Sequence, residues 1–139
     1  MTTIESSSQP GKTFVESVKQ ALEHLYDFAH LQAMALAAQM AVTRQRASET
    51  SGHHLRRELL TAIEALSPGP GVGMQTPDGR LHSVLQLHYV EGLTVQDVGQ
   101  RLGLSTRQVH RILRRAEASV ATVLWERLTQ AASTPASAA

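Results

Sequence analysis

Arg107, Arg111, Arg114 and Arg115 lie close together in the chain, interleaved with Thr106, Gln108 and His110 and preceded by Ser105. Arginine's planar fork can bond a guanine edge through two parallel hydrogen bonds, and glutamine can do the same with adenine. Ser, Thr and further Arg can hold phosphate oxygens. The chemistry on offer is recognition of an anionic, edge-patterned ligand rather than bond making. On a helix, Val109, Ile112 and Leu113 would claim the inward side, leaving Thr106, Arg107, Gln108, His110, Arg111, Arg114 and Arg115 to project away from it.

Such a helix needs a brace. Thr94 has the chemistry of an N-cap, with Asp97 three residues on, and Val95, Val98 and Leu102 form the inner face of a short helix. Gly103 can stop that helix in the left-handed conformation without Cβ strain, and Leu104 follows as an apolar plug. Ser105 and Gln108 then have the spacing of a capping box for the next helix. Two helices joined so tightly share a core only if they approach closely, which favours a small residue at Gly99. The pattern predicts a helix-turn-helix.

With those residues in view, the stretch "LHSVLQLHYVEGLTVQDVGQRLGLSTRQVHRILRRAEASV", about residues 81–120, resembles the fourth conserved region of bacterial sigma factors, the module that reads the promoter −35 element. The matching features are the "EGLT" entry, the spacing from Gly99 to Gly103 to Val109, and the "RRA" that closes the recognition helix. The resemblance implies that Ser105, Thr106, Arg107, Gln108, His110 and Arg111 face the major groove, with Arg114 and Arg115 nearer the backbone. LuxR-type regulators share a similar module. A complete sigma factor also carries a second conserved region rich in aromatics, whereas the N-terminal half here holds only Phe14, Tyr26 and Phe28. The sequence therefore reads as a sigma-like domain attached to a helical part of other purpose.

That part lies upstream. Val15, Val18, Leu22 and Leu25 mark one helical stripe, and Leu31, Met34, Ala35, Ala38 and Val42 a second, with "YDFAH" between them as a bend or short helix. Leu55, Leu59, Ala62, Ile63 and Leu66 mark a third. The run "SPGPGVGMQTPDG", residues 67–79, marks a loop placed over 68–80, a long connection that predicts a boundary. The expected organisation is a polar tail over 1–12, a helical domain over 13–67, the Gly/Pro loop, a helix-turn-helix domain over 81–131 and a small-residue tail over 132–139. No two-residue alternation supports strands, so the fold class is all-α. The last helix continues through Ala116, Val120, Val123, Leu124 and Leu128, over about twenty residues or 30 Å. That stripe either packs on the chain's own N-terminal helices or forms a dimer seam, which would set two recognition helices about 34 Å apart; the sequence leans towards the seam. Trp125 suits either interface.

Composition narrows the classes further. Residues 1–79 hold six Lys/Arg against eight Asp/Glu, whereas residues 80–127 hold seven Arg against four acids, so the positive charge gathers where the helix-turn-helix lies. Cysteine is absent, which removes disulfides and thiolate chemistry. No apolar run is long enough to span a bilayer, and the first residues lack the core of a secretion signal. "GPGVG" lacks the lysine and strand of a phosphate loop, and no nucleophile elbow occurs, so an enzyme is not expected. Of the seven histidines, His53 and His54 are adjacent, while His24 with His30 and His82 with His88 are six apart and off a common helical face. Neither a metal site nor a cofactor is expected from them.

The expectation is thus a cytoplasmic bacterial transcription regulator that binds double-stranded DNA, as a homodimer, through the helix starting at Ser105. Its N-terminal helices, with Met34, Met40 and alanine-rich stripes, would dimerise or bind RNA polymerase or another transcription factor. The rival expectation is a sigma-like interaction module that binds polymerase, a sigma factor or an anti-sigma factor without touching DNA.

Overall fold

The computed structural model describes residues 9–43, 49–68 and 77–133, which are helical with no strand among them. The helices are α1 (Lys12–Glu23), α2 (Phe28–Ala33), α3 (Ala35–Met40), α4 (Ser51–Ala65), α5 (Pro77–Leu85), α6 (Val95–Leu102) and α7 (Thr106–Ser133). A 3-10 turn, Ala41–Thr43, follows α3. After α5 the chain widens into a π turn, Gln86–Val90, in which the Glu91 N–H bonds the Gln86 carbonyl at 2.9 Å. The terminal tails expected over most of 1–12 and 132–139 lie largely outside the described residues, as does most of the Gly/Pro loop. That loop ends sooner than its sequence suggests, because α5 begins at Pro77 rather than near Leu81.

One core serves both halves of the chain. Val18, Leu22, Leu31, Met40, Leu55, Leu59 and Ile63 from the N-terminal helices join Val84, Leu85, Val98, Val109, Val120 and Leu124 in a single buried cluster. The axis of this packing is α7, 28 residues long and so about 42 Å. It touches α1, α4, α5 and α6. Ala116, Val120, Ala121 and Leu124 are buried within the chain itself, and the Trp125 ring meets Phe14 of α1 edge-on at 5.1 Å. The stripe that the sequence favoured as a dimer seam is therefore spent on the protein's own helices, and the Gly/Pro loop joins two parts of one core.

A second difference lies at Met34, whose ψ of 142° puts one residue out of the helical path. The expected single helix becomes α2 and α3, and everything after the break rotates. Leu36, Ala37 and Met40 point inward, while Ala35, Ala38 and Val42 are exposed. No glycine or proline marks the break, which leaves it invisible to periodicity.

The far end of α7 is held by a polar clamp. Arg127 Nη2 donates to Glu58 Oε2 of α4 at 2.9 Å, and Glu58 is almost fully buried. The Thr43 hydroxyl lies 2.7 Å from His54 Nε2 and 3.0 Å from the same Glu58 oxygen. A buried carboxylate is tolerable only when so partnered. The network fixes α4, the 3-10 turn and α7 in register.

Candidate nucleic-acid interface

The interface begins with the brace. The Thr94 hydroxyl accepts the Asp97 N–H at 3.1 Å, which satisfies one of the unpaired donors that open α6. Gly103 ends α6 at φ 72° and ψ 35°, the left-handed cap its type suggests. The Leu104 N–H returns to the Gly99 carbonyl at 2.8 Å. That return brings the backbone so near that a Cβ on Gly99 would lie 2.5 Å from the Leu104 oxygen. Gly99 is therefore required by the closure of the turn, and the two glycines act together.

The capping box that opens α7 is present in both directions. Gln108 N–H donates to Ser105 Oγ at 3.1 Å, and Ser105 N–H donates to Gln108 Oε1 at 2.8 Å. The Gln108 carboxamide oxygen gives one lone pair to the cap and keeps a second, so the cap orients the side chain while it stays exposed. Ser105 is likewise exposed and engaged in the cap.

The other expected contacts are exposed as well. Thr106, Arg107, His110, Arg111, Arg114 and Arg115 are all exposed, while Val109 and Leu113 are buried and Ile112 is half-buried. At 100° per residue, Arg107, Arg111 and Arg114 share one stripe opposite the core, and Arg115 and His110 flank it on either side. From Arg107 to Arg114 the stripe runs about 10 Å, close to three base-pair rises.

Glu117, the acidic neighbour of Arg114 and Arg115 in the sequence, does not share their exposure. It is buried, and the Tyr89 hydroxyl donates to its Oε2 at 2.5 Å. Burial pushes the Glu117 carboxyl above the usual carboxylate range, against the Tyr89 hydrogen bond, and burial also raises the Tyr89 hydroxyl so that it stays a donor. The pair ties the π turn to α7 just past the arginine stripe. The only hint in the sequence is the position of Glu117, one residue from Ala116 and three from Val120 on the inward side. His88 is half-buried, and its Nδ1–H donates to the Leu93 carbonyl at 2.7 Å, which closes the turn before α6.

The histidines supply a further correction. His24 and His30, expected to lie off a common helical face, stack with ring centroids 3.7 Å apart. The helix ends at His24 and restarts after Asp27, so the spacing of six folds back on itself.

The family model described as Sigma-70, region 4 matches residues 77–120. The match starts where α5 starts and ends within α7, and so covers the π turn, α6, the turn at Gly103 and the arginine stripe. Comparisons with curated proteins and with solved structures return no match. None of the helices among the described residues is long and apolar enough to cross a membrane. Residues 77–120 are thus a sigma-70 region 4-like helix-turn-helix, built into a larger all-α chain.

Proposed function

We propose that this protein is a sequence-specific DNA-binding transcription regulator that reads the major groove with the first half of α7. The observation that carries the reading is the solvent-facing stripe of Arg107, Arg111 and Arg114, set on a helix whose start is fixed by Gly99, Gly103 and the Ser105–Gln108 box. Arg107 and Arg111 are the base readers, each worth about 1–3 kcal/mol of discrimination where bidentate. Arg114 and Arg115 hold phosphate, Thr106 and His110 support them, and Ser105 and Gln108 set the geometry. In this reading the protein is not an enzyme and works in the bacterial cytoplasm. A homodimer would use a surface other than the α7 stripe, whose Ala116, Val120 and Leu124 are buried within the chain.

Selection of bound sequences from a random duplex pool tests the proposal, with the affinity of the selected site then followed against salt. A defined motif should emerge, and binding should weaken steeply as salt rises because phosphate contacts release counterions. An interaction module for polymerase, a sigma factor or an anti-sigma factor predicts instead no enriched motif and no duplex binding at physiological salt.

A further inference from the structure

The turn from α1 to α2 gathers three side chains with the chemistry of metal ligands. His24 caps the end of α1, Asp27 caps the start of α2, and His30 lies in the first turn of α2. One ligand atom from each lies within 4.8 Å of the others. We propose that His24, Asp27 and His30 form a binding site for one divalent ion of the zinc class, a function separate from DNA reading.

Two imidazoles with one carboxylate form a donor set that suits zinc and its neighbours, whereas calcium and magnesium require oxygen. In tetrahedral zinc sites, bond lengths near 2.0–2.2 Å set ligand atoms about 3.3–3.5 Å apart. The three atoms have therefore to close by roughly 1 Å, with one imidazole turning out of the stack so that both lone pairs converge. Asp27 is already oriented for this. Its Oδ1 accepts the His30 N–H at 3.1 Å, and its Oδ2 lies 3.8 Å from His24 Nδ1.

The backbone beneath the site is held from outside. Tyr26 donates from its hydroxyl to the Val90 carbonyl at 3.2 Å, and Arg56 Nε donates to the Leu25 carbonyl at 2.8 Å. Three protein ligands leave a fourth position open. The His24 and Asp27 side chains keep 40% and 55% of their exposure, so an ion and a water can reach them. They also line one end of a groove of about 750 Å³ that continues past His88 to Thr94, the cap of α6.

Isothermal titration of the full chain with zinc chloride should give one saturable site per chain. Asp27→Asn keeps the cap of α2 while removing the charged ligand, and His30→Ala removes an imidazole. Each should weaken zinc binding at least about tenfold, the lower end of what even an indirect partner of a metal costs when lost. His82→Gln, remote from this turn in sequence, should bind as the parent does. Circular dichroism of each variant should match that of the parent. The proposal is overturned if the parent shows no saturable site, or if Asp27→Asn and His30→Ala bind zinc as tightly as the parent, in which case the ion sits on other histidines.

Discussion

The turn at residues 103–105 and the turn at residues 24–27 both carry the chain from one helix to the next, yet they are fixed in different ways. The first is closed by its own residues. Gly103 takes the left-handed conformation, Gly99 admits the Leu104 carbonyl, and Ser105 with Gln108 starts the following helix. At the second turn the Asp27 N–H bonds the His24 carbonyl at 2.9 Å and Asp27 caps α2, and to these local bonds two distant partners are added, Val90 for Tyr26 and Arg56 for the Leu25 carbonyl. A self-contained turn can aim a helix at a partner with little help from the rest of the fold. A turn held from elsewhere shifts when those partners shift.

The contrast is sharpest at Gly99. Gly99→Ala puts a methyl against backbone oxygen, and the cost should approach about 3 kcal/mol, the upper end of overpacking penalties. DNA binding should fall with it as the recognition helix loses its brace. Gly103→Ala meets open space and pays only for its positive φ, so about 1–2 kcal/mol is expected. Chemical denaturation of both variants checks the order, and equal costs would mean that the close approach at Gly99 is not what fixes the turn. Arg56→Ala should have the smallest effect, about 1 kcal/mol for one hydrogen bond, with the helix-turn-helix unaffected and duplex affinity unchanged. A large loss of DNA binding in Arg56→Ala would show that the second turn also governs the first.

The same contrast explains what was legible in the sequence. The helix-turn-helix could be read because its determinants are local: an N-cap at Thr94, glycines at set spacing, a capping box, and an inward stripe of Val109, Ile112 and Leu113. The all-α class followed from periodicity. The break at Met34 could not be read, since that residue carries no signal of its own. The convergence of His24 and His30 was hidden for a related reason: a bend at 26–30 could be expected, but not the path that folds a spacing of six back on itself. The role of the α7 stripe was ambiguous in one dimension, where an internal core face and a dimer seam share the same heptad-like spacing; α1 and α4 decide it by occupying the face. The burial of Glu117 was not legible either, because its partner Tyr89 lies 28 residues away in the chain.

The central claim is that the exposed arginine stripe of α7 reads bases. Competitive mobility shifts with the selected duplex and a scrambled one, for the parent and for Arg107→Ala/Arg111→Ala, test it most directly. Both side chains point away from the core, so the double variant should keep the parent's circular dichroism and thermal midpoint. It should lose preference for the selected site, by about tenfold or more for each base contact removed. A folded double variant that still distinguishes the two duplexes as well as the parent would contradict the account.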